Sequence, residues 1–174
     1  GADITKRAIY NENDLQSAVP GLVIRQNGGV HSFNYSIRGQ SVDTFTNSPP
    51  SVLPYVNEVQ IVTLSASTFY DMGGIQVLKG PQGTLFGRNT TGGAILLVPT
   101  KPVDRFEGYV EGTLGNLNAH RLQAVLNAPL SDTIRVRGAV DWNEQDGYLR
   151  NRSGIGPKRL GDTDYISARL SVVA

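Results

Sequence analysis

The chain has 174 residues, of which 39% are hydrophobic, and this content is too high for a disordered tail. Sixteen basic and fifteen acidic side chains give a net charge of +1, so no large basic field exists to bind nucleic acid or an anionic membrane surface. The absence of cysteine excludes disulfide frameworks, thiolate nucleophiles, zinc ribbons and iron–sulfur ligation, while twenty glycines favour a turn-rich β protein.

Two prolines, Pro99 and Pro102, bracket a short polar link and divide the sequence into residues 1–103 and 104–174. The first part opens with a predicted helix at residues 12–18, which has Asn13 or Asp14 near its start and stops at Val19-Pro20-Gly21. Short extended runs are predicted at 22–24, 36–39, 74–79 and 93–98, with one or two helical turns at 65–71. These elements indicate a small α+β unit with long loops, such as residues 40–50.

The second part alternates between apolar and polar residues, which is typical of strands with one apolar and one polar face. Four strands are predicted, at 106–114, 121–128, 134–143 and 166–173, with two short connections and then a long polar one. Their length of roughly nine to eleven residues exceeds the five or six usual in soluble proteins. The charged side chains fall on the polar face: Glu107, Glu111, Arg121, Arg135, Arg137, Asp141 and Arg169.

This alternation leaves two interpretations open. A soluble antiparallel sheet buries its apolar face in a core, whereas an outer-membrane sheet turns that face to lipid and its charges to a lumen. The strand length favours the membrane, because a tilted spanning strand needs ~9–11 residues. Trp142 lies on the apolar face near a strand end, as in an interfacial aromatic girdle, but an ordinary core or edge tryptophan fits equally well.

The most specific segment is residues 77–95, with the sequence VLKGPQGTLFGRNTTGGAI. It resembles the plug domain of TonB-dependent outer-membrane receptors, continued here into the first strands of their barrel. Further matching segments are Asp14-Leu15, Val19-Pro20-Gly21-Leu22, Ser36-Ile37-Arg38-Gly39, Tyr55-Val56-Asn57, Phe106-Glu107-Gly108, Pro129-Leu130-Ser131-Asp132 and Asp146-Gly147-Tyr148. The resemblance implies an α+β plug domain at 1–103, followed at 104–174 by the first four antiparallel transmembrane strands of a 22-stranded barrel.

The same resemblance implies that the sequence is incomplete. No TonB-box segment is recognisable before Asp14, and the barrel stops after four strands. We therefore expect a fragment or the product of a truncated gene, whose plug lacks its N-terminal part.

The function implied by the resemblance is active uptake of a scarce ligand, most often a ferric siderophore, across the outer membrane of a Gram-negative bacterium. The implied partners are a TonB-type energy-coupling protein, bound through a segment missing here, outer-membrane lipid and the small-molecule ligand. No nucleic acid, cofactor, metal site or enzymatic activity is expected, the ferric chelate being the transported ligand.

Matching the order of plug strands places outward-facing loops at 25–27, 40–47 and 65–70. Candidate ligand contacts on these loops are Arg25, Gln26, Gln40, Asp43, Phe45, Phe69 and Tyr70. Arginine and glutamine offer donors to an anionic chelate, and the aromatic rings offer flat apolar surface. Each residue taken singly is equally well an exposed loop residue.

The glycines of the specific segment predict turns with positive φ and close backbone approach. The expected structural residues of the plug are Arg38, Gly39, Gly80, Pro81, Gly83, Gly87, Arg88, Gly92 and Gly93. Arg38 and Arg88 are either contacts to the barrel or solvated arginines. A phosphate-binding loop is disfavoured, because neither G-x-G-x-x-G nor G-x-x-x-x-G-K-[ST] occurs. Relatives carry acidic residues where this chain has Gly73 and Gln76, so an ion pair to the barrel is expected to be weakened or absent.

A soluble or surface-anchored β-rich binding module that does not transport is the alternative function. Long open edges at Phe106 and Val173 count against it, because such edges promote aggregation. An enzymatic function has the least support, since His31 and His120 lie in different parts of the chain and no nucleophile elbow or metal-spaced cluster occurs.

Overall fold

The computed structural model describes residues 9–26, 33–41, 49–61, 69–87, 89–153 and 155–174. It divides the chain into two compact units, Gly1–Thr100 and Lys101–Ala174. This division lies three residues before the border expected from the prolines.

The first unit combines short helices with a two-stranded and a four-stranded sheet. Its elements in chain order are α1 (Glu12–Ala18), β1 (Leu22–Gln26), β2 (Phe33–Ile37), β3 (Val52–Val56), β4 (Val59–Gln60), β5 (Met72–Lys79), α2 (Gly83–Phe86) and β6 (Gly93–Pro99). Strands β1 and β2 form an antiparallel hairpin. The larger sheet has the order β4-β3-β6-β5, in which β3 and β6 run parallel and the other neighbours antiparallel.

Helix α1 begins where its first amides find side-chain acceptors. The Oδ1 atom of Asn11 accepts hydrogen bonds from the backbone N of Asn13 at 2.9 Å and of Asp14 at 3.1 Å. The Asp14 carboxylate in turn accepts from the backbone N of Asn11, which completes a capping box. The N-cap is therefore Asn11, and the residues expected near the start lie in the first turn.

Strands β3 and β4 were missed by the sequence reasoning. Pro54 stands in the middle of β3, and proline normally marks an edge strand because it has no amide hydrogen to donate. Nevertheless β3 lies between β6 and β4. The Pro54 carbonyl still accepts a hydrogen bond from the backbone N of Ile61 at 3.0 Å, so the strand keeps its acceptor there.

Two further expectations need correction. The extended run predicted at 36–39 ends at Ile37, because Arg38 (φ 53°) and Gly39 (φ 79°) adopt left-handed conformations in a turn. Residues 65–68 of the expected helical turn lie outside the described residues, and 69–71 are not helical.

The first unit has a conventional apolar interior. Its buried core includes Leu15 of α1, residues of the β1–β2 hairpin and residues of the larger sheet: Leu22, Ile24, Tyr35, Ile37, Val52, Ile95 and Leu97. Burial of these side chains is the driving force that holds α1 and the hairpin against the sheet.

The second unit is an antiparallel sheet of order β7-β8-β9-β12. Its elements are β7 (Glu107–Gly115), β8 (Ala119–Pro129), β9 (Arg135–Gln145), β10 (Leu149–Arg150), β11 (Arg159–Leu160) and β12 (Thr163–Val173). The four long strands have 9, 11, 11 and 11 residues and match the four predicted strands. Within the long connection, β10 and β11 form a small hairpin that the sequence reasoning did not foresee.

The connections fall at two ends of this sheet. Residues 116–118 join β7 to β8 tightly, with Leu117 (φ 60°) and Asn118 (φ 53°) in left-handed conformations. The long connection from β9 starts at the same end, because the backbone N of Asp146 donates to the Leu117 carbonyl at 2.8 Å. The short turn between β8 and β9, closed by Leu130 N to Ile134 O at 2.9 Å, lies at the opposite end.

Candidate membrane-facing and ligand-binding surfaces

The apolar face of the second unit is exposed. Side chains of all four long strands remain 38% to 74% exposed on this face: Val110, Leu122, Leu126, Val140, Trp142, Ile166, Leu170 and Val172. The strand register groups them into rows across the sheet, such as Val110, Ala124, Val140 and Ala168. A soluble sheet would bury such rows under a second layer, and none of the described residues covers this face.

The apolar rows end at a charged row. Gly112, Leu122, Trp142 and Ile166 form the last apolar row, and Leu114, His120, Glu144 and Asp164 form the next. From Val172 to Ile166 the apolar part measures about 20 Å at ~3.3 Å per residue, close to the ~25 Å apolar band of outer-membrane sheets. Trp142 therefore stands at the boundary between apolar and charged rows, where an interfacial tryptophan is expected.

The opposite face of the same sheet contains buried charge pairs. Asp141 is fully buried and lies 2.8 Å from the Nε atom of Arg121, which is 11% exposed. The Tyr165 hydroxyl donates to the second Asp141 oxygen at 3.1 Å. Because every charged partner is hydrogen-bonded, burial of this cluster is tolerated.

A second charge cluster lies at the other end of the polar face. Arg137 is 5% exposed and places its guanidinium 3.2 Å from Glu107, which also pairs with Arg105 at 2.6 Å. Beside it, the fully buried Asn127 side chain accepts from the backbone N of Val103 and donates to the carbonyls of Val103 and Arg105. These contacts hold the segment that leads into β7.

In the first unit, the glycine-rich segment forms the loop between the paired strands β5 and β6. Gly80 has φ 98° and Gly93 has φ 146°, so both occupy backbone conformations that other residues adopt with strain. A Cβ at Gly93 would overlap the Leu78 carbonyl, and one at Gly92 would lie 2.9 Å from the Gln40 Cβ atom. A side chain is therefore disfavoured by the backbone conformation at Gly80 and by close neighbours at Gly92 and Gly93. At Gly83, which begins α2, a Cβ would meet open space.

The interior of this loop is stabilised by an aromatic contact. The Tyr55 and Phe86 rings pack with centroids 4.9 Å apart, and the Tyr55 hydroxyl donates to the Phe86 carbonyl at 2.8 Å. Burial raises the pKa of this hydroxyl above its ordinary value. Thr90, fully buried, donates to the carbonyl of Gly87, whose φ is 83°. Leu85 of the same loop is 79% exposed, and the sequence analysis did not single it out.

The structure separates the candidate ligand contacts into two groups. Arg25 and Gln26 end β1, whereas Gln40 follows β2. Since β1 and β2 are antiparallel, residues after β2 lie beside the start of β1, as the hydrogen bond from Arg38 N to Gly21 O shows. Gln40 is therefore at the opposite end of the hairpin from Arg25, about 13 Å away along the four residues from Gly21 to Arg25.

Gln40 instead joins the glycine-rich loop. Its carbonyl accepts from the Ser51 hydroxyl at 3.1 Å, and the Ser51 carbonyl accepts from the backbone N of Gly92 at 2.8 Å. At the same end, the Lys79 Nζ atom donates to the Pro20 carbonyl. Arg38 is exposed in this region, and its expected contact to a barrel stays a prediction.

Phe69 and Tyr70 do not present the exposed surface that was expected of them. Phe69 is 3% exposed and belongs to the apolar core, and Tyr70 is 6% exposed. Both precede β5, whose first residue pairs with Pro99 at the end of the sheet remote from Gly93. Both rings are therefore buried, although their backbone lies outside the helices and strands. Asp43, Phe45, Arg88 and His31 lie outside the described residues.

Glu12 is a buried carboxylate that the sequence reasoning treated only as a helix residue. It is 4% exposed, and its Oε1 atom has no hydrogen-bond partner among the described residues. Burial raises the pKa of Glu12 above its ordinary value. A backbone hydrogen bond lowers this pKa and the nearby Asp14 charge raises it, but both effects are smaller than that of burial.

Among the described residues, no helix is long and apolar enough to cross a membrane. No group of three or more histidine, aspartate and glutamate side chains in that part of the chain could hold a metal ion.

Comparison with known proteins gives consistent matches. A family model described as the TonB-dependent Receptor Plug Domain matches residues 1–94. The pesticin receptor of Yersinia enterocolitica is 31% identical over 165 residues, which cover 92% of this chain and 24% of the receptor. The ferripyoverdine receptor of Pseudomonas aeruginosa is 32% identical over 141 residues, which cover 80% of this chain and 17% of the receptor.

A solved structure matches both units. The ferric yersiniabactin uptake receptor FyuA from Yersinia pestis is similar with a TM-score of 0.81 and 26% identity, covering 99% of this chain and 27% of that one. The chain thus spans about a quarter or less of the length of the curated relatives reported above.

Proposed function

The chain belongs to the family of TonB-dependent receptors that carry a plug domain, and we propose that it is part of an outer-membrane transporter that takes up a ferric siderophore. The single observation that carries the proposal is the second unit, whose apolar face is exposed while Asp141 and Arg137 on the other face are buried. Lipid is the solvent in which this arrangement is stable. The four strands would then be part of a larger closed barrel in a Gram-negative bacterium.

The ligand class is supported by the relatives. Receptors named for ferripyoverdine and ferric yersiniabactin share sequence or fold with this chain. A ferric chelate is cargo here and not a resident cofactor. Energy for uptake would come from a TonB-type partner, as the family implies.

We place the plug's contribution to the ligand site at the Gln40 end of the first unit. Gln40 lies at this end, where its carbonyl accepts a hydrogen bond from the Ser51 hydroxyl. Asp43 and Phe45 follow Gln40 in the sequence but lie outside the described residues. Leu85 adds exposed apolar surface on the neighbouring glycine-rich loop. Arg25 and Gln26 lie at the other end of the hairpin, and Phe69 and Tyr70 support the core.

Substitutions of Gln40 and of Arg25 test at which end of the β1–β2 hairpin the ligand binds. In the full-length protein, Gln40→Ala keeps the Cβ atom that packs over Gly92 and removes the amide, so ferric-siderophore affinity should fall about tenfold if one hydrogen bond to a charged ligand is lost. Arg25→Ala is the matched control and should leave affinity unchanged. The reverse result would move the site to the Arg25 end.

The membrane assignment has its own test. An antibody against residues 80–93 should detect, in the outer-membrane fraction, a band several times 18.7 kDa whose mobility changes on boiling. The amount should rise under iron limitation. A soluble band near 18.7 kDa would contradict transport and would favour the alternative, a non-transporting β-rich binding module.

A further inference from the structure

The hairpin in the long connection concentrates positive charge. Residues 147–161 contain four basic side chains, Arg150, Arg152, Lys158 and Arg159, and no acidic one, in a chain whose net charge is only +1. All four are exposed, and in the part of the chain that the structure describes no carboxylate forms an ion pair with them. The nearly neutral composition of the whole chain therefore conceals a strongly basic surface.

Two of these charges face each other directly. Arg150 of β10 pairs with Arg159 of β11, so their side chains emerge on the same face of a two-stranded ribbon. Like charges directly opposite each other destabilise a strand pair. An anion bound between the two guanidinium groups is attracted to both and offsets their mutual repulsion. A guanidinium group can also donate two parallel hydrogen bonds to the oxygens of a phosphate.

The hairpin is built as a fixed scaffold for these charges. The Asn151 side chain donates to the carbonyls of Ile155 at 2.7 Å and Pro157 at 2.9 Å, and its backbone N donates to the Lys158 carbonyl at 3.0 Å. A Cβ at Gly161 would lie 2.5 Å from the Tyr148 ring, so close packing closes the base of the hairpin. Preorganised cations lose little entropy when an anion binds.

Apolar side chains accompany the cations. Leu149 and Leu160 form the other cross-strand pair of the hairpin, and Tyr148 and Ile155 are 68% and 83% exposed. The hairpin also follows β9 at the end where the apolar rows give way to the charged row of Glu144. A basic and apolar surface at this level suits an amphiphile better than a soluble anion.

The exposed apolar face of the sheet has a groove that could bind the apolar part of an amphiphile. An open groove of about 670 Å³ runs over the small residues Ala124, Gly138 and Ala168. It is flanked by larger side chains such as Leu126 and Leu170. From Val140 in this groove to the end of β9 is about 17 Å along the strand, so one lipid could occupy the groove and carry its headgroup towards the hairpin.

We propose that the hairpin 147–161 binds the phosphate groups of an anionic lipid through Arg150 and Arg159, with Arg152 and Lys158 adding to the local positive potential. The inference rests on the proposed membrane location, because a phosphate headgroup must lie at the level where the apolar rows end. Binding orients the receptor's surface loop at the edge of the membrane.

The test uses the purified full-length protein in detergent micelles and measures its dissociation constant for bisphosphorylated lipid A. Each lost arginine should weaken binding about fivefold, so Arg150→Gln and Arg159→Gln together should weaken it about 25-fold. Lys101→Gln, an exposed single-charge control outside the hairpin, should leave it unchanged. Arg150→Lys with Arg159→Lys keeps the charge but loses the bidentate donors, and should lie between these results.

Two further probes identify the source of the phosphate. Dephosphorylated lipid A should bind weakly to the wild-type protein and equally weakly to the double variant, whereas inorganic phosphate alone should not compete at comparable concentration. Equal binding of the wild type and the double variant to bisphosphorylated lipid A overturns the proposal, as does inorganic phosphate binding as tightly as the lipid.

Failure of the proposed function has a different signature. It would be visible as the absence of a heat-modifiable outer-membrane band for the wild-type protein. The lipid measurement is interpreted only for variants that retain this band, so a variant that fails to fold does not count as loss of lipid binding.

Discussion

The two units differ in which residue types they bury and which they expose. In the first unit, Leu15, Ile37 and Ile95 are buried and the exposed positions are mostly polar. In the second unit, Val110, Ile166 and Leu170 are more than 70% exposed, and Asp141 and Asn127 are fully buried. The first unit is therefore built around an apolar core, whereas the second exposes its apolar face and buries polar and charged side chains on the other face, as expected of a sheet in lipid.

Removal of the buried charge should have the largest effect on this contrast. Asp141→Ala leaves Arg121 without its carboxylate and Tyr165 without its acceptor, and should lower the free energy of unfolding by about 4 kcal/mol. The measurement is the urea midpoint at which the full-length protein loses heat-modifiable mobility. Glu111→Ala, on the same face, is the matched control, and an equal loss in both variants would show that the Asp141 cluster is not buried as described.

A charge introduced on the exposed apolar face tests the other half of the contrast. Val140→Arg lies in a middle apolar row and should cost about 3 kcal/mol if lipid covers that row. Leu114→Arg lies in the charged end row and should cost about 1 kcal/mol or less. The same urea titration measures both, and similar small costs at the two positions would mean that water covers the face.

In the first unit, stability should depend on the close backbone packing beside the glycine-rich loop. Gly93→Ala places a Cβ against the Leu78 carbonyl at φ 146°, and should destabilise the protein by about 2 kcal/mol. Gly83→Ala has open space and a helical position, and should be neutral or slightly stabilising. Thermal unfolding compares the pair, and a neutral Gly93→Ala would indicate that the strand pair opens there without penalty.

The smallest expected effect concerns the buried carboxylate of Glu12. Its pKa is raised in the folded protein, so the folded state binds the proton more tightly than the unfolded state, and this stability is present below pH 4.5 and lost as the pH rises through the folded value. Glu12→Gln should therefore stabilise the first unit by about 1 kcal/mol at pH 7 and by less at pH 4. Urea unfolding at the two pH values measures this, with exposed Glu58→Gln as control. An equal gain at both values would exclude titration of Glu12 as the cause.

Much of the architecture could be predicted from local pattern. The four long strands follow from strict alternation over many residues, and the glycine-rich loop follows from its turn residues. Strand β3 could not be found this way, because Pro54 argues against an interior strand and only its pairing with β6 on one side and β4 on the other makes it one. The basic hairpin likewise depends on a pairing between Arg150 and Arg159 that no local sequence pattern predicts.

The candidate ligand contacts show the same division. Arg25, Gln40 and Tyr70 are each plausible in a loop, but antiparallel pairing of β1 with β2 places the first two at opposite ends, and core packing buries the third. Spacing along the chain carries no information about which loops meet at one end of a sheet, since that is set by strand direction.

The sequence by itself determined the family, the order of the units and the identity of the two faces of the long strands, because period-two alternation and glycine spacing are local properties of the chain. The tertiary structure decided which face is exposed, which charges pair and which loops share an end. These are consequences of register and strand order, which bring together residues such as Arg121 and Asp141 that lie 20 positions apart. Burial and electrostatic pairing arise only from that approach in space.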